Sequence, residues 1–210
     1  MKAFVPLLAL FAIAAAFVAP ATASADDDMS VVYADLNGDH RIDRVTLAQA
    51  QDNPNDQILV GTVGPTSYYK RIPTGGEPVS PLRVVDLDQD GRQEVLVTEL
   101  NGISTSWFGV WHLNNGYDWQ PVLAASGGGF ELYEGGGIRE ISRYGCKQVN
   151  GHREVVLLSA QLQDPWEDEI YAGRLQSFTV RNGVATPTST TFVAGHSATL
   201  TAMAIPSYCV

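Results

Sequence analysis

The chain has 210 residues and an acidic balance, with 13 lysines and arginines against 23 aspartates and glutamates and a formal net charge of −10. Apolar residues make up 45% of the sequence and charged residues 17%, so a chain of this length can bury a hydrophobic core. The excess of acid argues against binding nucleic acid through a basic face.

The first 25 residues have the pattern of a secretion signal. Lys2 supplies a positive charge, residues 4–18 form an apolar run, and small residues occupy the expected cleavage positions at 23–25. The apolar run is short for a membrane span, and Pro20 ends it. We therefore predict a cleaved signal over 1–25, a secreted or periplasmic protein, and a single mature domain over 26–210 without a membrane span.

Two segments, residues 30–47 and 81–98, share the order strand, acidic loop, strand. In each loop, side chains with oxygen atoms occupy positions 1, 3, 5 and 9, and the two copies are 51 residues apart. We name residues 35–43 loop 1 and residues 86–94 loop 2. The oxygen-bearing residues are Asp35, Asn37, Asp39 and Asp43 in loop 1, and Asp86, Asp88, Asp90 and Glu94 in loop 2.

So many carboxylates on a short loop repel one another unless a cation binds among them. Calcium prefers about six to eight oxygen ligands in a flexible arrangement, and a backbone carbonyl at position 7, from Arg41 or Arg92, can add to the side chains. Magnesium demands a stricter octahedron, and zinc favours clustered histidine and cysteine. We predict up to two Ca²⁺ ions. Loop 2 is the stronger predicted site because position 6 is Gly91 there but His40 in loop 1, where a left-handed backbone would be strained.

The loops differ from an EF-hand in the residues beyond position 9. An EF-hand has a bidentate glutamate at position 12 and continues into a helix. Here position 12 is Thr46 or Val97, each inside a β-branched run that is typical of a strand. Turn formation by Asp, Asn and Gly without any metal is the alternative explanation of one such loop. The same donor spacing in two loops favours calcium.

The rest of the mature sequence predicts an all-β protein. Short apolar runs are separated by Gly-Pro, Asn-Asn-Gly and Asn-Gly turns, which are typical of hairpins. No amphipathic helix is evident. Strands are predicted at residues 57–63, 108–113, 119–123 and 175–180.

The two cysteines, Cys146 and Cys209, are predicted to form a disulfide, since an exported protein meets an oxidising environment. Two free buried thiols are the alternative. A weaker third copy of the loop pattern covers residues 146–154 and runs into an apolar strand at 155–158. Cys146 replaces its first donor and Gln148 its second, so we predict a metal-free loop pinned by the disulfide.

Residues 86–97, and similarly 35–47, resemble the FG-GAP/VCBS repeat of integrin α-subunit N-terminal-like domains. This resemblance implies calcium loops between the strands of β-propeller blades, usually with about four strands per blade, and a binding role outside the cell or in its envelope. It implies three blade-like repeats of antiparallel strands at about 30–80, 81–138 and 139–195, followed by a C-terminal strand at 196–210. Three blades are too few to close a usual propeller, so we expect a partial or compact β-propeller, or copies that associate.

Catalytic signatures are missing from the sequence, which lacks Gly-x-Ser-x-Gly, His-Glu-x-x-His and Walker patterns. We predict a calcium-binding scaffold for binding or adhesion, without enzymatic activity, whose partner is an extracellular protein or glycan. A carbohydrate-binding module is the alternative, because exposed aromatics such as Trp166, Tyr68 and Tyr69 could stack on sugars. A glycoside-processing enzyme is a weaker alternative that would use paired carboxylates near Trp166. These carboxylates are Asp164, Glu167, Asp168 and Glu169.

Overall fold

The computed structural model describes residues 29–115, 117–164, 169–205 and 209–210. This part of the chain is all-β, as predicted, with fourteen strands in two sheets and one short helix. The predicted signal at 1–25 lies outside the described residues, as do Trp166, Glu167 and Asp168. Within the described residues, no helix has the length and hydropathy that crossing a bilayer would require.

The first sheet is a four-stranded antiparallel meander in which each strand pairs with the next along the chain. Its third strand alternates buried and partly exposed residues, as expected of a strand with one face against a core. Loop 1 connects its first two strands. The strands are β1 (Met29–Ala34), β2 (Asp43–Gln49), β3 (Asp56–Val63) and β4 (Thr66–Pro73).

The second sheet contains ten strands, and loop 2 connects its first two. Its strand order is β5-β6-β7-β10-β11-β12-β13-β14-β9, with β8 paired to β7, and among the described strands only the β9–β14 pair is parallel. The strands are β5 (Arg83–Val85), β6 (Glu94–Asn101), β7 (Thr105–Asn114), β8 (Asp118–Pro121), β9 (Leu123–Ala124), β10 (Glu131–Gly135), β11 (Glu140–Val149), β12 (His152–Asp164), β13 (Ile170–Arg181) and β14 (Val184–His196).

A hydrophobic cluster joins the two sheets. Leu47 and Leu59 from the first sheet pack with Trp111, Leu113 and Trp119 from the second, and all five side chains are buried. A separate cluster lies within the second sheet and includes Leu96, Phe108, Leu132 and Leu157. The loops therefore extend from strands that are fixed by buried apolar side chains, which holds their ends in place.

The repeat organisation differs from the prediction. The four-stranded meander lies within the first predicted repeat, at 30–80, but the strands of the second and third predicted repeats belong to one continuous sheet. The described strands do not close into a barrel or a propeller. Sheet order is decided by long-range pairings such as β7 with β10, which the spacing of sequence repeats does not determine.

The segment predicted as a third loop, residues 146–154, is a hairpin instead. Cys146 lies inside β11, and Asn150 and Gly151 form the turn to β12 with φ angles of 51° and 80°. Asn-Gly is the preferred two-residue turn for such a hairpin because both residues tolerate positive φ. The pairing therefore continues to Val149 and His152, which leaves no room for a loop.

The predicted C-terminal strand at 196–210 is also wrong, because a short helix, α1 (Ser197–Thr201), follows β14. Its one buried residue, Leu200, packs in a cluster with Ile141 and Leu158. A helical turn can direct a single apolar side chain onto the sheet face, and alanine and leucine favour that conformation.

The predicted disulfide between Cys146 and Cys209 is confirmed, with a Cα–Cα distance of 5.0 Å. It attaches the C-terminal residues to β11. The backbone N–H of Asp86, the first residue of loop 2, donates to the carbonyl oxygen of Cys209 at 2.8 Å. The Arg153 guanidinium donates to the carbonyl oxygens of Asp86 and Cys209. The disulfide thus helps to anchor the start of loop 2.

Candidate metal centre

Both acidic loops occupy the same place in a strand pair. In loop 1, the residue before position 1 is Ala34, and it pairs in register with the position-9 residue Asp43. In loop 2, Val85 pairs with Glu94 in the same way. Each loop therefore closes at its own base by antiparallel pairing, so positions 1 and 9 are brought together.

The two loops share a set of four hydrogen bonds from backbone N–H groups to side-chain oxygens. The side chain at position 1 accepts from position 4, position 3 accepts from position 5, position 5 accepts from position 7, and position 9 accepts from position 2. In loop 1 the acceptors are Asp35, Asn37, Asp39 and Asp43, at 2.7, 3.0, 2.8 and 3.1 Å. In loop 2 they are Asp86, Asp88, Asp90 and Glu94, at 2.7, 3.2, 2.7 and 2.8 Å.

The backbone is left-handed at positions 4 and 6 of both loops. In loop 1 these are Gly38 and His40, with φ of 78° and 63°, so the predicted strain at His40 is present. In loop 2 they are Gln89 and Gly91, with φ of 59° and 85°. Each loop thus carries one glycine and one strained residue. The strain at Gln89 was not expected from the sequence, so His40 alone does not support the predicted ranking of the two sites.

Loop 2 brings three carboxylates close together. Asp86, Asp88 and Asp90 each offer an oxygen, and these oxygens lie within 4.8 Å of one another. Glu94 is 5% exposed, and its Oε2 accepts the hydrogen bond from Leu87 N at 2.8 Å. Within the described residues, its Oε1 accepts no hydrogen bond. Glu94 therefore places a carboxylate with one hydrogen-bonded oxygen beside three acidic side chains.

The electrostatics of loop 2 reflect this crowding. Burial raises the pKa of Glu94 to about 8, and the charges of Asp88, Asp86 and Asp90 add to the effect. Burial, followed by repulsion from Asp90, raises the pKa of Asp88 to about 6. The pKa of Asp86 is raised mainly by burial. A doubly positive ion would compensate the repulsion that keeps these groups from ionising together.

Loop 1 is less crowded. Burial raises the pKa of Asp43, while the hydrogen bond from Arg41 N is the main cause of a lowered pKa for Asp39. Position 3 is the neutral Asn37, which removes one charge relative to loop 2. The repulsion between carboxylates is therefore smaller in loop 1 than in loop 2, and the ranking of the two calcium sites stays a prediction.

The donor set fits a hard cation. The side chains at positions 1, 3, 5 and 9 of both loops carry carboxylate and amide oxygens, the ligands that Ca²⁺ prefers, and in loop 2 three of these carboxylates converge. The backbone N–H groups of Arg41 and Arg92 donate to position 5, so the chain is held at position 7, where a carbonyl ligand is predicted. All the predicted side chains of each loop thus lie in one hydrogen-bonded loop. Asn37 and Asp39 lie toward its exposed side, and Asp43 is buried.

Two residues near the loops were missed by sequence reasoning. Gln93, at position 8 of loop 2, contacts the backbone of Asp35 in loop 1. Its only sequence signal is a polar residue where loop 1 has Ile42. His112 lines a polar cavity of 240 Å³ together with Asp88 and Glu94, and burial lowers the pKa of its imidazole. Its position beside loop 2 depends on the pairing of β6 with β7, which no local pattern reveals.

The aromatic side chains divide between core and surface. Trp111 and Trp119 are buried, at 7% and 0% exposure. Tyr69 is exposed, as predicted, whereas Tyr68 is half-buried and makes an edge contact with Tyr117. Buried tryptophans contribute to stability and are not available for stacking on a sugar.

No protein-family model matches the chain, and comparisons with curated proteins and with solved structures found no match. The similarity of the loops to FG-GAP/VCBS repeats therefore stays a prediction.

Proposed function

We propose that this is an exported calcium-binding protein of the FG-GAP/VCBS type, a scaffold for binding or adhesion in which Ca²⁺ at loops 1 and 2 is structural. The observation that carries the proposal is that two loops, far apart in sequence, make the same four side-chain-to-backbone hydrogen bonds. A turn needs only one or two such bonds to form. A repeated arrangement that in loop 2 also crowds three carboxylates favours a bound cation.

The burial of Glu94 favours a bound metal over the alternative that the loops are turns without metal. Turn-forming aspartates are satisfied by water at a surface, but Glu94 is buried with its pKa raised to about 8. A carboxylate in that position is costly unless it is protonated or paired with a cation. In loop 2 the ion would be held by Asp86, Asp88, Asp90 and Glu94 with the Arg92 carbonyl, and in loop 1 by Asp35, Asn37, Asp39 and Asp43 with the Arg41 carbonyl.

Calcium in these positions would fasten the strand pairs β1–β2 and β5–β6, because each loop joins the members of a pair. The four-stranded meander has the form expected of one propeller blade, with its calcium loop between the first two strands. The proposed relation to a partial propeller is supported by the equivalent loop between β5 and β6. The disulfide is compatible with export to an oxidising compartment.

We expect chelation to lower the melting temperature. If free calcium is roughly ten times the dissociation constant, each occupied loop adds about 1.4 kcal/mol, which corresponds to roughly 3–6 °C for a chain of this size. Melting in excess EGTA and in millimolar calcium measures the shift. Asp86→Ala combined with Asp88→Ala should remove the part of the shift that is due to loop 2.

The matched control is Asp118→Ala combined with Glu131→Ala, which removes two exposed carboxylates from strands outside the loops. This variant should keep the full calcium-dependent shift. A melting temperature that is the same in EGTA and in calcium would rule out structural calcium.

A second candidate, glycan binding, is favoured by a shallow cavity of 290 Å³ on the second sheet. Trp107 and Tyr133 are directly opposite each other on β7 and β10, and both are half-buried, so a part of each ring is accessible. Aromatic faces beside hydroxyl and carboxylate groups suit the alternating apolar and polar surfaces of a sugar. The remaining lining residues are Thr105, Glu140, Ser142 and Ser159.

We expect Trp107→Ala to abolish binding in a titration against a panel of soluble glucan, mannan, galactan and chitin oligosaccharides. Tyr69→Ala, which removes an exposed aromatic on the first sheet, is the control and should bind as the unaltered chain does. Absence of binding to every oligosaccharide of the panel would eliminate this candidate and leave the calcium proposal intact.

A further inference from the structure

We propose that the two calcium sites are energetically coupled through Gln93, so that an ion in one loop raises the affinity of the other. This inference rests on the proposed calcium binding at both loops. It concerns one residue, Gln93, which belongs to loop 2 and is bound to loop 1.

The two loops lie side by side because the strands that carry them are neighbours. The N–H of Leu82, one residue before β5, donates to the buried hydroxyl of Ser30 on β1 at 2.9 Å. The strands β1 and β5 leave this point together, and each ends in its acidic loop. Their chain positions differ by about fifty residues, so the contact is made by folding and not by sequence proximity.

Gln93 holds both backbone polar groups of the first residue of loop 1. Its own N–H donates to the carbonyl oxygen of Asp35 at 2.7 Å, and its side-chain Oε1 accepts from the N–H of Asp35 at 2.8 Å. The carboxylate of Asp35 in turn accepts from the N–H groups of Gly38 and His40, each at 2.7 Å. Gln93 therefore fixes the backbone of Asp35, and the carboxylate of Asp35 holds the following residues of loop 1.

The place of Gln93 in loop 2 makes it sensitive to an ion there. It stands between Arg92, whose carbonyl is the predicted backbone ligand, and Glu94, the position-9 carboxylate. An ion that fixes both neighbours also fixes Gln93. Ordering the bridge in advance lowers the entropy cost of ordering loop 1, which appears as a higher affinity at the second site.

Two further contacts support the connection. A Cβ placed on Gly38 would lie 3.2 Å from Cγ of Arg92, so the stem of this arginine lies against position 4 of loop 1. Leu36, at position 2 of loop 1 and 1% exposed, lines the 240 Å³ cavity together with Asp88 and Glu94. The loops therefore meet at several positions, and Gln93 supplies the polar link.

At position 8, the side-chain link is made by the residue of loop 2 and not by that of loop 1. The residue of loop 1 equivalent to Gln93 is Ile42, whose side chain is 67% exposed and has no hydrogen-bonding group. A single substitution at position 93 can therefore remove the side-chain hydrogen bond of the link, though not the backbone one, without altering any predicted ligand side chain.

Electrostatics acts against this coupling, because neutralising the carboxylates of one loop weakens the attraction of the other for a cation. Between exposed charges this effect is screened beyond about 8 Å at physiological salt, whereas the hydrogen-bonded bridge is not. We therefore expect positive coupling at physiological ionic strength that strengthens as salt is raised.

The test is a calcium titration of the full chain followed by NMR, in which the amide signals of Gly38 and Gly91 report separately on loops 1 and 2. Asn37→Ala combined with Asp39→Ala removes the loop 1 site through two side chains that are not buried. We expect this change to weaken calcium binding at loop 2 by about five-fold or more, within the usual range of coupling between sites. Gln93→Met loses the side-chain hydrogen bond to Asp35 and keeps the backbone one, so in this background the same change should weaken calcium binding at loop 2 clearly less.

Gln93→Glu retains an acceptor for the N–H of Asp35 and should retain coupling, and Gln120→Ala, an exposed glutamine on β8, should have no effect. If calcium binds at neither loop, the proposed function fails. If it binds at both but loss of the loop 1 site leaves loop 2 affinity unchanged, the coupling is overturned and the proposed function stands. This comparison does not need position 93 to be altered, so it decides the question even if Gln93→Met does not fold.

Discussion

Replacing Cys146 and Cys209 with alanine is expected to lower the free energy of unfolding by about 4 kcal/mol. The disulfide spans a sequence separation of 63 residues, and a cross-link of that length removes a large loop-closure entropy from the unfolded chain. Both sulfur-bearing residues are buried, at 2% and 0% exposure, so no compensating interaction with water is gained. Denaturant unfolding at a fixed calcium concentration measures the change.

The disulfide also has a local effect on loop 2, because the Cys209 carbonyl accepts the N–H of Asp86. We expect the double alanine variant to lose more calcium affinity at loop 2 than at loop 1. A reductant should destabilise the unaltered chain and leave the variant unchanged, which is the control for side effects of the substitutions. Equal unfolding midpoints for the variant and the oxidised chain would contradict a stabilising role for the bridge.

Trp119→Ala is expected to cost about 3–5 kcal/mol, the usual cost of emptying a large buried aromatic site. Trp119 is 0% exposed and belongs to the cluster that joins the two sheets. Its ring lies over Gly61 of β3, where an added Cβ would come within 2.7 Å of Cζ2. Its Nε1–H donates to the carbonyl oxygen of Tyr68 at 3.2 Å. The side chain thus links β8 to two strands of the first sheet.

Trp119→Phe should cost less than the alanine change, because it keeps most of the apolar volume and loses the hydrogen bond. Tyr69→Ala is the control, since this ring is 68% exposed and a surface change of this kind usually costs little. Denaturant unfolding followed by circular dichroism compares the three variants. If Trp119→Ala lowered the free energy of unfolding by no more than Tyr69→Ala does, the two sheets would be held together by other contacts.

The acidic loops could be located from sequence because the spacing of their donors is local. Positions 1 and 9 flank a strand pair whose register is closed at Ala34 with Asp43 and at Val85 with Glu94, so the loop length fixes its geometry. The Asn-Gly pairs at 150–151 and 182–183 are likewise local signals, and both form hairpin turns. The all-β class follows from many short apolar runs between such turns.

Other features depend on contacts that a local pattern does not contain. The parallel pairing of β9 with β14 joins Leu123 to Val184, and the bridge from Gln93 to Asp35 spans 58 residues. The helix at the C-terminus follows from a site for Leu200 against the second sheet. Gln89 occupies position 4 of loop 2, as Gly38 does in loop 1, and both have a left-handed backbone. The conformational preference of glutamine would not predict this backbone.

The most direct test of calcium binding is the number of ions bound per chain, counted by native mass spectrometry after removal of metal with chelator and titration with Ca²⁺. We predict two ions for the unaltered chain. We predict one for Asp86→Ala combined with Asp88→Ala, and one for Asn37→Ala combined with Asp39→Ala. A folded chain that binds no calcium at millimolar concentration, or that keeps two ions in both variants, would contradict the assignment of loops 1 and 2 as calcium sites.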